Sequence, residues 1–410
     1  MLPNGLRWVC WHDPSLPLTA VHVALQVGAA HERPGSTGMA HMLEHLMFRG
    51  TPSVPDGQFD RVMEDLGAQI NAMTSHDGTV YTTTCPPDAL PRVLALESDR
   101  MQHLAITSDV FATEREVVAS ERRQVVESEP EEVVEELLHA WALEGSRYAW
   151  PVIGWGRDIA RWSRRGVAMF HRTHYRPAST LVVVVGPTRT DEVARQVEDA
   201  FGGWPQSALP VETPPGEGSV GGTPGLRHRR LAMRLPIWSL AFPSPSARSQ
   251  ATPVWWALEG VLSLGWSSRL VQRLEVELGC ASDVSAHVMA RRHDGLLTVR
   301  ARPREGPRAS ARVQSEVLGV LEQLAARGPE GEELARVRLG LSVADRMELW
   351  HAESRADLLS EGWLVGDDPL WLLGMSDAVE DVSPQAVQSL AVALLEGPRW
   401  ELRAEPGGER

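Results

Sequence analysis

The sequence has no lysine: all 40 of its Lys-plus-Arg positions are arginine. We assign that bias to genome composition and give it no functional weight. Positive charge is scarce overall, since 54 acidic residues leave a formal net charge of −14. A chain of that balance offers no basic face to meet phosphates, which excludes nucleic acid as the expected partner. Cysteine is equally sparse. Cys10, Cys85 and Cys280 are odd in number, far apart and without a CxxC pair, which excludes a disulfide framework and a thiolate zinc site and leaves buried thiols as the expectation. No stretch approaches the roughly 18 unbroken apolar residues of a membrane span. Met1 to Arg7 has no apolar core of the kind a signal peptide carries. The expectation is a cytoplasmic protein with neither a membrane nor a nucleic-acid partner.

What is present suits two globular domains. At 410 residues the chain exceeds one hydrophobic core and divides naturally into units of about 200 residues. Apolar runs at Leu6 to Trp11 and Thr19 to Val27 predict paired strands, and Asn71 to Thr84 predicts another. Met39 to Phe48 predicts an amphipathic helix. Pro86-Pro87 opens a helix toward Met101, and a long charged helix is expected from Ser108 through Ala140. Leu181 to Val185 predicts a buried strand, followed by a helix over Asp191 to Phe201. The Gly- and Pro-rich stretch around Pro214-Pro215-Gly216 and Gly221-Gly222 is a linker by composition. It sets expected domains at 1–207 and 227–410, joined by 208–226. Beyond the linker, a strand (Arg230 to Phe242), a helix (Thr252 to Leu264), a strand (Leu296 to Ala301) and helices at Ala309 to Ala326 and Glu332 to Leu364 repeat the mixed style. An internal duplication is therefore expected.

The chemistry concentrates in His41-Met42-Leu43-Glu44-His45. On a helix, His41 and His45 stand one turn apart on the same face. Both imidazoles can then reach one tetrahedral Zn²⁺ at about 2.0–2.1 Å. Glu44 lies on the flank of that face, able to reach water beside the metal without being a ligand. The order is HxxEH, the inverse of HExxH. The pentapeptide arises by chance in about a few per cent of chains this long, and two histidines on such a helix are also compatible with ordinary partly buried residues. A peptidase site needs a third ligand and an open position. Glu114 and Glu121, two turns apart within Glu114-Arg115-Glu116-Val117-Val118-Ala119-Ser120-Glu121, share a helix face. Spacing alone does not separate them from solvated surface glutamates. His171 and His174 have no third acid placed beside them by any pattern.

These residues resemble the pitrilysin, insulin-degrading enzyme and mitochondrial processing peptidase family. Its members carry HxxEH and, about 75 residues later, a ligand Glu in an E-R-x-x-V-x-x-E pattern; Glu121 stands at that distance from His45. Asn71-Ala72-Met73-Thr74-Ser75, Leu96-Glu97-Ser98-Asp99-Arg100-Met101, Tyr175-Arg176-Pro177 and Gly265-Trp266-Ser267-Ser268-Arg269-Leu270 match further family features. The resemblance covers nearly the whole chain and is more specific in the first half. It implies an α+β fold of two related domains, each a largely antiparallel sheet packed against helices, the second without a metal site. It implies a zinc peptidase with one Zn²⁺ per chain held by His41, His45 and Glu121. Glu114 would support the ligands from behind, and Glu44 would be the general base. Asn71 and Ala72 would lie on an edge strand that pairs with the backbone of an unfolded peptide substrate.

The family's second half usually supplies an Arg and, about seven residues on, a Tyr that hold substrate carbonyls. The corresponding positions here are Glu275 and Ser282. A carboxylate reverses the charge and removes every donor of a guanidinium. A dimeric clamshell is therefore expected in which a homologous partner subunit brings the Arg and Tyr. A self-sufficient homodimer and a non-catalytic scaffold subunit are the competing expectations.

Overall fold

The computed structural model describes residues 1–206, 221–304 and 306–407; positions 208–220 of the expected linker lie outside them. The first half of the chain forms strands β1 (Arg7–His12), β2 (Thr19–Leu25), β3 (Gln69–Thr74), β4 (Thr79–Cys85) and β5 (Thr180–Gly186). Its helices are α1 (Met39–Leu46), α2 (Phe59–Asp65), α3 (Leu90–His103), α4 (Ser108–Arg122), α5 (Pro130–Ala142), α6 (Gly156–Ile159), α7 (Arg164–His174) and α8 (Thr190–Phe201). The second half forms β6 (Gly225–Leu231), β7 (Ile237–Ser244), β8 (Ala281–Ala290), β9 (Gly295–Pro303) and β10 (Trp400–Pro406). Its helices are α9 (Thr252–Ser263), α10 (Arg269–Val271), α11 (Gly306–Arg327), α12 (Gly331–Glu348), α13 (Ala352–Gly366), α14 (Met375–Glu380) and α15 (Pro384–Glu396). No helix among the described residues is long and apolar enough to cross a membrane.

Each half builds one five-stranded sheet, in the orders β1-β5-β2-β4-β3 and β6-β10-β7-β9-β8. The two are the same topology strand for strand. β1 and β5 pair in parallel, as do β6 and β10, and the other three pairs of each sheet are antiparallel. The expected duplication and largely antiparallel α+β fold are thus present. β2 and β5 are buried at every position, which requires cover on both faces of the sheet.

That cover is supplied reciprocally. The chain divides into two compact units, Met1–Arg123 with Trp150–Gly216 and Arg346–Leu373, and Gln124–Ala149 with Glu217–Asp345 and Gly374–Arg410. In the first unit, α13 lays Ala356, Leu359 and Trp363 against Ala20, Ala24, Leu181 and Val183. In the second, α5 from the first half of the sequence packs on β7 and β10.

Four expected elements are subdivided. The charged helix from Ser108 through Ala140 passes through a π-helical stretch, Arg123–Glu127, and restarts at Pro130, a residue that lacks the N–H to continue a helix and suits its first turn. The expected strand Asn71 to Thr84 is a hairpin, β3 and β4, turning where Ser75 N–H donates to Gly78 O. The helix expected over Glu332 to Leu364 breaks between α12 and α13, where the Arg355 side chain captures Leu349 O at 2.6 Å. The strand expected from Arg230 to Phe242 is likewise two, β6 and β7, separated by a segment containing Pro236.

Beneath the first sheet, α3 buries an ion pair. Arg100 is 0% exposed and donates to both carboxylate oxygens of Glu97, at 2.9 and 2.7 Å. Its guanidinium also lies 4.9, 4.8 and 4.5 Å from the ring centroids of Phe48, Phe59 and Tyr81. Removing one partner would strand a charge in the core, at a cost of about 3–5 kcal/mol, whereas replacing both with apolar groups is often near neutral. Glu97→Ala is therefore expected to lower stability by about that amount in denaturant unfolding, and Glu97→Leu with Arg100→Met to recover most of it. A double variant no more stable than Glu97→Ala would contradict this reading.

Candidate metal centre

α1 has eight residues, too few to be stable alone. Its N-terminus begins at Gly38, whose φ of +86° suits glycine. The cap comes from an unforeseen residue. Glu32 is 2% exposed, and its carboxylate accepts from Gly38 N–H at 2.6 Å and Ala40 N–H at 2.8 Å. A carboxylate there meets both the free N–H groups and the positive end of the helix. Burial pushes the Glu32 carboxyl well above its ordinary range, against the pull of those backbone donors. The adjacent chain is held by Asp158, which accepts from Thr37 Oγ1 at 2.7 Å. In sequence, Glu32 looked like part of a Gly/Pro/Ser loop; an acidic residue seven positions before the start of an HxxEH helix was the available signal.

The helix presents His41 and His45 toward α4, from which Glu121 projects. His41 Nε2 lies 3.6 Å from Glu121 Oε1, and His45 Nε2 lies 3.2 Å from Glu121 Oε2. One ligand atom from each of the three residues falls within 4.8 Å of the others. Donors at about 2.0–2.1 Å from a tetrahedral Zn²⁺ stand about 3.3 Å from one another. Two neutral-capable imidazoles and a carboxylate, so spaced, fit zinc. No other group of three His, Cys, Asp or Glu side chains converges this way among the described residues.

Glu114, 3% exposed at its side chain, stands behind His45. Its Oε2 is 3.4 Å from His45 Nδ1, and Arg49 pairs with its other oxygen. This is the geometry that fixes a ligand ring from the rear. His41 lacks such support: its buried Nδ1 has no hydrogen-bond partner among the described residues. Glu44 is on the flank of α1, where its Oε2 accepts from Thr74 Oγ1 at 2.5 Å. Thr74 ends β3, so the expected edge strand runs up to the expected base. β3 is an outer strand of its sheet, with Asn71 exposed and Ala72 half-buried. Ala72 N–H donates to the Asn71 side chain at 2.9 Å. Glu275 and Ser282 belong to the second unit, where Glu275 Oε1 accepts from Val284 N–H at 2.8 Å.

The charges are mutually tuned. Burial raises the Glu44 carboxyl despite the hydrogen bonds from Thr74. Burial would lower His45, but hydrogen bonds to Glu114 and Glu121 outweigh it and raise the ring to about 9. The hydrogen bond from His45 lowers Glu121. Glu114 also falls, because His45 and Arg49 outweigh its burial. Without metal, His45 thus holds a proton at neutral pH, and a metal must displace it. Zinc binding at neutral pH is expected to release about one proton per site and to tighten as pH rises toward 9. Calorimetry in buffers of different ionisation heat measures this. Glu114→Gln is expected to weaken zinc binding by about 10–100-fold. Zinc binding without proton release would remove His45 from the ligand set.

Known proteins resemble this chain along most of its length. Residues 7–155 match the model for Insulinase (Peptidase family M16), and residues 161–341 match that for Peptidase M16 inactive domain. The zinc protease PqqE of Helicobacter pylori is 28% identical over 385 residues, which cover 92% of this chain and 84% of that protein. Cytochrome b-c1 complex subunit 1 of Rattus norvegicus is 28% identical over 218 residues, covering 52% of this chain and 45% of the relative. A crystal structure of a protease from Helicobacter pylori superposes with a TM-score of 0.92 at 25% identity, over 99% of this chain and 98% of that one. With both halves matched in order and a zinc-compatible triad in the first, the chain belongs to peptidase family M16.

Proposed function

We propose that this chain is a zinc-dependent endopeptidase or oligopeptidase acting on unfolded peptides, with one Zn²⁺ held by His41, His45 and Glu121. The observation that carries the reading is the convergence of those three donors beside a partly buried carboxylate, Glu44, that is not among them. Zinc, when bound, supplies a Lewis acid that polarises a carbonyl and lowers the pKa of water. Glu44 then takes the proton of the attacking water and passes it to the leaving amine. Burial raises its pKa, which makes it a stronger base than an ordinary surface carboxylate. Thr74 keeps the carboxylate aimed, and Glu114 keeps the His45 ring in place.

Substrate would add to the edge of β3 around Asn71 and Ala72 by backbone hydrogen bonds, which gives affinity with little side-chain selectivity. Extended, unfolded segments fit that mode. In our reading the chain works in the cytoplasm, where three unpaired thiols stay reduced. It does so with a homologous partner subunit that supplies the Arg and Tyr absent at Glu275 and Ser282, a homodimer being the lesser alternative. A scaffold role is the second reading, favoured by the likeness to a cytochrome b-c1 complex subunit. Against it stands the complete set of His41, Glu44, His45, Glu114 and Glu121.

Metal analysis and peptide hydrolysis test both readings together. Glu44→Gln is expected to keep about one zinc per chain and lose hydrolysis, because it removes the base and no ligand. His45→Ala and Glu121→Ala should lose zinc as well. The chain alone should cleave about 10²–10³-fold more slowly than with a partner bringing oxyanion donors. Wild-type rates from Glu44→Gln would end the mechanistic assignment. Absence of zinc from the wild-type protein would favour the scaffold.

A further inference from the structure

The strand-for-strand repeat makes β8 the counterpart of β3, and makes α9, which follows β7, the counterpart of α1, which follows β2. Both β3 and β8 are outer strands. An outer strand carries a row of backbone groups free to pair with another chain. On β8 the N–H groups of Val284, Ala286 and Val288 are two residues apart and so point the same way, off the sheet. Each of them is taken by a side chain. Val284 N–H donates to Glu275 Oε1 at 2.8 Å, and Val288 N–H donates to Glu259 Oε2 at 3.1 Å. Ala286 N–H donates to Ser263 Oγ at 3.0 Å, and the Ser263 hydroxyl donates back to Ala286 O at 3.0 Å.

Glu259 and Ser263 stand four residues apart on α9 and share a face. Glu275 comes from the π-helical stretch Gln272–Glu277. The strand also breaks register between Ser282 and Ser285, with Asp283 at φ +51° and its carboxylate 3.2 Å from Arg302 Nε. A bulge of that kind turns an edge away from a regular partner. On β3, by contrast, Ala72 N–H is held only by the exposed side chain of its own neighbour, Asn71.

We propose that Glu259, Ser263 and Glu275 close β8 to extended peptides, so that of the two corresponding edges only β3, beside the metal centre, can take a peptide strand. A peptide adding to β8 would need the three N–H groups as donors to its carbonyl oxygens. It would find two carboxylates there, which repel those oxygens. Glu275 thus has a task within its own unit, the satisfaction and shielding of an edge donor. The openness of β3 rests on the peptidase reading; the closure of β8 rests on its own hydrogen bonds.

Two measurements on the full chain separate these. In amide hydrogen exchange of the wild-type protein, Val284, Ala286 and Val288 should be protected despite lying on an outer strand. In the variant carrying Glu259→Ala, Ser263→Ala and Glu275→Ala they should exchange about 10-fold faster or more. The companion Glu259→Gln/Glu275→Gln variant keeps the acceptors and should stay protected. In the Glu44→Gln background, an extended peptide bearing a photo-crosslinker should label β3 and leave β8 unlabelled, whereas the alanine variant should gain label on β8 or self-associate through it. Fast exchange at those amides in the wild type, or label on its β8, would overturn the closure. So would a folded alanine variant whose β8 is neither labelled nor self-associating. Protected β8 amides with no label on β3 would support the closure and count against the peptidase reading alone.

Discussion

An eight-residue helix does not hold its own place in water, and the whole candidate centre is mounted on one. α1 carries His41, Glu44 and His45, so any tilt of it moves two proposed ligands and the proposed base together. It is fixed from both ends by buried polar groups. At the N-terminus, Glu32 gathers the free N–H groups of Gly38 and Ala40. Just past the C-terminus, Phe48 is stacked beneath the guanidinium of Arg100, itself neutralised by Glu97 on α3. Buried ion pairs add little net stability compared with apolar packing. Here the pair joins α3, the end of α1 and Tyr81 of β4 in one fixed arrangement. The distances of 3.2 to 3.6 Å among the donors depend on that fixity.

The duplication places the same elements around a candidate metal centre in one half and around none in the other. Both sheets have the same order and pairing, and both send a helix from the second strand toward the outer one. On α1 a glutamate reaches the outer strand at Thr74, and on α9 a glutamate reaches it at Val288. In the first unit that carboxylate is flanked by histidines and a facing glutamate, and the strand beside it is open. In the second, no ligand triad exists among the described residues, and further side chains seal the strand. In the reading proposed here the same scaffold supports an edge that takes substrate and one that does not.

Much of the centre was legible in the sequence, because its information is local. The spacing of His41 and His45 fixes a shared helix face, and Glu114 and Glu121 share one by the same period. The strands were legible where burial is continuous, as in Leu181 to Val185. What could not be read depended on contacts distant in the chain. Glu32 resembles a loop acid until its carboxylate is seen on two helix amides. The turn at Ser75 to Gly78 and the restart at Pro130 carry residue signals, Gly78 and Pro130 themselves, that strong strand and helix patterns outweighed. The exchange of α5 and α13 between the two halves of the sequence has no local signature, since nothing in either helix specifies which sheet it covers.

In the proposed peptidase, two imidazoles and one carboxylate of this chain hold zinc. X-ray absorption at the zinc edge of the purified protein tests this most directly. Such a site gives a shell of nitrogen and oxygen donors at about 2.0–2.1 Å, four in number, with the outer scattering of two imidazole rings, and the His45→Ala protein no longer carries the zinc that gives it. A shell containing sulfur, a six-coordinate shell without imidazole scattering, or a spectrum unchanged by His45→Ala would contradict this ligand set.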